Sequence, residues 1–197
     1  MLSAVDYGID VALDAPLEIA NWRPLVQWFL GIPHLFLAGV LSRVGQVVAV
    51  ISWFAIVFTG RLPEGLANFQ CLVIRYQTRA YTYAFWLYED YPPFDFTMTP
   101  PDPGGSPVRV DLATRLEDRN RLTVGLRILW LIPIALFLVV VSVAAVVVAI
   151  LGLFAVVFTG RWPDGVRRFL IGRNRLSVRV SAYASLLIDD YPPFSLD

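Results

Sequence analysis

The chain has 197 residues, of which 57% are hydrophobic and 16% charged, and its 16 arginines and 16 carboxylates cancel to a net charge of zero. With a mean hydropathy of +0.62, this is too apolar for an ordinary soluble domain and points to a membrane protein. No basic patch stands clear of acids, which argues against nucleic acid as a partner, and the single cysteine, Cys71, excludes an intramolecular disulfide or a multi-cysteine metal site.

Met1 to Asp14 is acidic and alternating and lacks a basic n-region, so it does not read as a signal peptide; insertion through internal apolar segments is expected. Within it Tyr7, Ile9, Val11 and Leu13 alternate with polar or small residues, which predicts a half-buried strand. Asn21-Trp22-Arg23-Pro24 then leads into an apolar region, Leu25 to Phe58. As one helix those 34 residues would be about 51 Å long against a hydrocarbon core of about 30 Å. Leu41-Ser-Arg-Val-Gly-Gln46 interrupts the run near its middle, and Arg43 at the centre of a single span would cost about 2.5–3.5 kcal/mol. A helical hairpin of two short spans is therefore expected.

Val57-Phe-Thr-Gly-Arg-x-Pro-acid-Gly65 follows. Arg61 is a candidate for binding a lipid phosphate through its planar fork of donors. The plainer alternative is a corner between a span and a helix, with Gly60 in the turn and Pro63 and Glu64 at the helix start. Next comes a stretch of 24 residues, Gly65 to Tyr88, with Arg75 and Arg79 at i,i+4 and aromatics near its end. It reads as an amphipathic helix lying along the membrane interface, with its arginines reaching headgroups. Glu89-Asp-Tyr-Pro-Pro-Phe94 closes the unit, the prolines being expected to end the helix. Tyr91, Pro92, Pro93 and Phe94 form either a rigid docking element for a partner or an aromatic anchor packed back on the spans. His34 is expected to be a packed polar residue rather than a haem or metal ligand, since no second histidine exists. Cys71 is read as a small buried apolar residue, with palmitoylation the alternative.

Residues 97–107, rich in Pro and Gly, read as a plain linker between a first repeat at 1–96 and a second at 108–197. The second repeat restates the first. Val108, Val110 and Leu112 predict a strand at an offset of 99, and Phe154 to Phe194 aligns with Phe54 to Phe94 without a gap, 20 of 41 positions being identical. Leu129 to Phe158 is 30 residues without a charge, well beyond the 18 or so of a spanning candidate. Nothing in Val139 to Ala149 marks a turn, so topology decides: single spans would put the two arginine-bearing stretches on opposite faces, whereas the positive-inside rule wants both in the cytoplasm. Four spans with both termini cytoplasmic are expected. Arg161, Arg175 and Arg179 match the candidate headgroup ligands of the first repeat, and Tyr191, Pro192, Pro193 and Phe194 match its docking element.

The expected fold is thus all-α and integral to the membrane: a tandem repeat of two helical hairpins, each followed by an amphipathic interfacial helix, with a short β-strand at the start of each repeat. The doubled unit of apolar run, Phe-Thr-Gly-Arg-x-Pro-acid-Gly, Arg-x-x-x-Arg and acid-Asp-Tyr-Pro-Pro-Phe resembles an actinobacterial family of membrane proteins known only as a domain of unknown function. The resemblance implies a plasma-membrane protein and supplies no activity. No nucleophile, phosphate loop or metal-ligand cluster accompanies the paired acids, so neither a cofactor nor catalysis is expected. The leading expectation is a non-catalytic accessory or scaffold subunit of a larger complex, such as a respiratory or envelope-lipid assembly, with membrane lipids and partner subunits around it. The alternative is a lipid-binding or small-solute transport protein with its site between the repeats.

Overall fold

A computed structural model describes residues 8–196; Tyr7, read as the first strand residue, and Asp197 lie outside them. The order is β1 (Ile9–Leu13), α1 (Arg23–Leu30), α2 (Ile32–Thr59), α3 (Glu64–Ala84), β2 (Val108–Leu112), α4 (Arg121–Gly125), α5 (Arg127–Thr159) and α6 (Asp164–Ala184). The protein is mostly helical, in two repeats with one short strand at the start of each.

Neither apolar run turns back on itself at its middle, which corrects the expectation of hairpins inside the runs. Leu25–Phe58 is divided between α1 and α2, parted only at Gly31 with its helical φ −77° and ψ −11°, and Leu129–Phe158 lies within the single helix α5. The break expected at Leu41–Gln46 does not form, because Gly45 serves packing instead of turning. It lies against α3, where an added Cβ would meet Gln70 Oε1 and Val73 Cγ1 at 3.3 Å, and its carbonyl accepts from Gln70 Nε2 at 2.7 Å. The segment holds no proline, so nothing removes a backbone donor from it. Among the described residues, two helices rather than four are long and apolar enough to cross a membrane. The hairpin of each repeat is instead α2 with α3, and α5 with α6. Its corner is Gly60 or Gly160, at φ 75° and 66°, a left-handed cap that glycine adopts without a Cβ penalty. Pro63 and Pro163, extended at the N-caps, then start the next helix with Glu64 or Asp164 in its first turn.

The expectation that α3 and α6 lie along a surface is also corrected. Fourteen of the 21 residues of α3 are buried, because it is covered on several sides. Gly45 contacts Gln70 and Val73, and Ala38 clusters with Tyr76 and Ala80, so this side of α3 faces α2. From the opposite side Arg75 and Arg79 reach the carbonyls of Val110 and Val108 in β2. In the second repeat Leu176 and Val180 cluster with Ile134 and Val141 of α5, while Arg175 reaches Val11 of β1. The molecule therefore has apolar outer helices, inner helices α3 and α6, and the strand pair beyond them. Neither inner helix runs to the Pro-Pro pair: both stop at alanine, ahead of left-handed Trp86 (φ 47°) and Leu186 (φ 66°), with Leu87 and Leu187 N–H returning to Thr82 and Ala182 carbonyls.

The repeats are related by an internal pseudo-twofold. β1 and β2 pair antiparallel with Val11 opposite Val110, the equivalent residues at offset 99, so that pair sits on the axis. Each repeat's lead-in segment covers the other repeat's corner. Leu62 N–H donates to Leu116 O at 2.8 Å and Trp162 N–H to Leu17 O at 2.9 Å, while Ile19 N–H donates to Gly160 O at 2.8 Å.

Candidate functional site

The Thr-Gly-Arg corners are built alike. Thr59 Oγ1 donates to Ala55 O at 2.6 Å and accepts from Arg61 N–H at 3.2 Å; Thr159 does the same with Ala155 O at 2.7 Å and Arg161 N–H at 3.2 Å. The hydroxyl thus occupies backbone groups left open where the long helix ends. The Arg61 and Arg161 side chains are 72% and 58% exposed, each 3.9 Å from a carboxylate of the other repeat's lead-in, Glu117 and Glu18. Ion pairs this exposed contribute little, and both guanidinia remain presented outward.

Arg75 and Arg79 are placed quite differently. Arg75 is 2% exposed. Its Nη2 donates to the carbonyls of Thr99, Pro100 and Pro101 at 2.8, 3.0 and 3.0 Å, and its Nε lies 3.5 Å from Asp102. Arg79 donates to Asp102 Oδ1 at 2.7 Å and to Asp95 Oδ2 at 3.0 Å. Asp102, with a side chain 0% exposed, also accepts from the N–H groups of Val110 and Gly104. Two guanidinia and two carboxylates make the network neutral, and its charges are hydrogen-bonded as burial requires. Burial lowers the Arg75 pKa, with Asp102 opposing. Burial alone would raise the Asp95 carboxyl, but bonds from Thr97 and Arg79 outweigh it and hold Asp95 below the usual carboxylate range. Segment 97–107 thus wraps the arginines of α3 with its carbonyls. Arg175 and Arg179 are half-buried on α6, where the first reaches Val11 O at 3.1 Å.

The Tyr-Pro-Pro-Phe elements fold back beside the long helices with their rings partly outward. Phe94 and Phe194 are 53% and 54% exposed and Tyr91 is exposed, whereas Pro92 and Pro192 are buried, Pro93 and Pro193 half-buried, and Tyr191 half-buried. His34 is buried among this set: its ring stacks on Phe94 at 4.2 Å, meets Tyr91 at 4.8 Å, and its Nδ1 hydrogen-bonds the Tyr76 hydroxyl at 2.7 Å. In the second repeat Ile134 takes the histidine's place and Phe194 meets Phe137 edge-on at 5.2 Å. Cys71 is fully buried, its thiol pushed up to about 11 by burial against the pull of Arg75.

A third constellation is absent from the sequence expectations. Asp189 accepts from Arg119 at 2.8 and 2.7 Å and from Arg127 at 2.5 Å. Burial works to raise this carboxyl, yet the two arginines outweigh it and hold it low. Arg127 Nη1 also donates to the carbonyls of Tyr183 and Ile188 at 3.0 and 2.7 Å. Gln27 does the same to Tyr83 and Tyr88 at 2.9 and 2.6 Å. The signal was available: Gln27 and Arg127 stand one hundred residues apart, each the polar residue at the mouth of an apolar run. Between α2 and α5 an open apolar groove of about 330 Å³ is lined by Val50, Trp53, Phe54, Ile128, Leu131 and Leu186, among others. Among the described residues no group of three or more potential ligands gathers for a metal ion.

These features define a class: a duplicated helical module, pseudo-twofold symmetric, with an apolar outer pair of helices and charges gathered inside. The chain belongs to the family described as domain of unknown function DUF4389, which matches it twice, over residues 21–95 and 121–195. No curated protein and no solved structure matches the chain.

Proposed function

We propose that this protein is a non-catalytic accessory or scaffold subunit of a larger assembly in the plasma membrane, with both termini and both Tyr-Pro-Pro-Phe corners on the cytoplasmic side. The observation that supports it is the pair of half-exposed aromatic corners at equivalent places in a pseudo-twofold body. Phe94 and Phe194 leave half their surface unused, and buried prolines behind them hold the rings still, which lowers the entropy lost on docking. Extraction in a mild detergent tests this. The wild-type chain should migrate in a particle larger than itself, and the Phe94→Ala/Phe194→Ala variant should leave that particle at a temperature where it is still folded. Its own melt should stay single and cooperative, at a midpoint lowered by the lost contacts with His34 and Phe137. A lone monomer from native membranes overturns the proposal.

The groove between α2 and α5 favours a second reading, a site for an apolar ligand between the repeats. Its walls come from both halves, and its volume falls within the range of about 300–1,000 Å³ of ligand sites. Lipid co-purifying with the wild type and lost on Val50→Trp would favour that reading over the first.

A further inference from the structure

We infer that α2 and α5 lie in the plane of one membrane leaflet, where acyl chains cover their outer faces, and do not cross the bilayer. The inference rests on the membrane location proposed above and specifies its mode. Both helices bear an uncovered apolar stripe from end to end: Phe36, Val47 and Phe58 are exposed on α2, and Leu136, Val147 and Phe158 on α5. A stripe of this length needs an apolar cover, and three arrangements in the fold select a leaflet.

Directions come first. Each long helix ends beside the segment that opens the other repeat's apolar run: Trp53 Nε1 donates to Val124 O of α4 at 3.0 Å, and Asn21 Nδ2, just ahead of α1, to Val157 O at 2.9 Å. Crossing helices so arranged would put the Glu64 and Asp164 corners in opposite compartments, against the arginine content of both halves. Length comes second. The charge-free stretch Leu129 to Phe158 spans about 45 Å and would need a tilt of about 48° to fit a core of about 30 Å, outside the 0–40° range of tilts.

Layering decides it. Ser142, halfway along α5, takes hydrogen bonds from Arg173 at 3.2 and 3.1 Å. The Arg75 network lies over the first half of α2, on α3 between Val73, which meets Gly45, and Ala80, which packs with Ala38. Beyond it the strand pair exposes Asp10 and Arg109. In a crossing orientation those charges would sit at mid-bilayer depth, at about 2.5–3.5 kcal/mol each. Exposed Arg43, at the middle of α2, would share that depth. With the helices in the membrane plane, every position along them has one depth. Arg43, on the same exposed side as Phe36 and Val47, then bends back to headgroups over a shorter path than from mid-bilayer depth, and the strand pair stays in water. The body is therefore amphipathic across its layers, as in other interfacial helices, here on a folded support.

The test uses the full-length chain carrying single added cysteines at Glu64→Cys, Asp164→Cys or Asp10→Cys. Buried Cys71 is left in place, so that a second label per chain reports an unfolded variant; Arg61→Cys and Arg161→Cys then replace any that fails. A membrane-impermeant maleimide should label all three sites in inside-out vesicles and none in right-side-out vesicles. Nitroxides at Phe36, Val47 and Phe58 should show equal immersion depth. Glu64 and Asp164 labelling from opposite sides, or Val47 lying deeper than both ends, overturns the in-plane arrangement while leaving a membrane scaffold standing. Release of the wild-type chain by alkaline carbonate overturns both.

Discussion

At the scale of single residues the arginines divide by environment more than by sequence. Arg61, Arg75 and Arg79 belong to one expected headgroup-binding set, yet Arg61 faces outward while the other two sit among carbonyls and Asp102. Truncating the shared carboxylate strands two guanidinia where water cannot follow. Asp102→Ala should therefore cost about 3–5 kcal/mol, read as a lower unfolding midpoint in detergent. Asp95 and Asp189 add an acid dependence whose sign follows from their depressed carboxyls. A carboxyl held low in the folded state stabilises above its unfolded value, about 3.9, and loses that contribution as pH falls through the folded value. Stability should be level from neutrality to about pH 5 and decline below about pH 4. Asp189→Asn should be less stable at pH 7 and show a shallower acid decline over the same interval, followed by tryptophan fluorescence. Cys71, whose thiol is raised to about 11, should resist maleimide at pH 8 until the chain unfolds, which separates its buried role from palmitoylation.

Among elements, glycine is where sequence and structure part company. Strands, the Thr-Gly-Arg corners and the doubled organisation follow from local patterns, because period, proline and left-handed glycine act within a few residues. The hairpin expected inside Leu25–Phe58 rests on the length of that run, the Leu41–Gln46 interruption and Arg43; the interruption contains Gly45, and a helix glycine has two meanings that only its neighbours distinguish. Gly45 and Gly152 let another element approach; an added Cβ at Gly152 would meet Trp162 Cζ3 at 2.3 Å. Gly39 in the same long helix as Gly45 has nothing within 4 Å of that position. Gly152→Ala should thus destabilise by about 1–3 kcal/mol through overpacking. Gly39→Ala should stabilise by about 0.5–1 kcal/mol through reduced chain entropy and better helix propensity. Paired thermal melts check both signs. The arginines of α3 were misplaced for a related reason: an i,i+4 pair marks one helix face but does not say whether headgroups or a wrapping segment covers it. Here the cover comes from residues 97–107, whose Pro and Gly composition reads as a linker although Arg75 takes four of its carbonyls.

For the whole molecule, duplication has become an intramolecular dimer in which each half completes the other. Among the described residues the two strands pair with each other across the repeats, and each corner is closed by the other repeat's lead-in: Leu17 and Ile19 bond to the 160–162 corner, and Leu116 and Arg119 to the 60–62 corner. Trp162 stacks on Trp86 at 6.4 Å and donates to its carbonyl at 3.0 Å. Asn174 reaches Thr82 between the inner helices at 3.2 Å. None of this is visible in a linear pattern, since equal repeats are equally compatible with two independent bodies. Cutting the chain after Gly104 leaves each half with an unpaired strand edge and an uncovered corner, groups that bury poorly without partners. The two fragments, 1–104 and 105–197, should therefore co-purify when co-expressed, and each should be degraded or aggregate when expressed alone. Two separately stable, non-associating fragments would mean that the cross-repeat contacts add little. Trp162→Ala should lower the melting temperature of the intact chain, since the ring also fills space beside Gly152, and should abolish fragment association outright, because the fragments lack the effective concentration that the covalent link supplies.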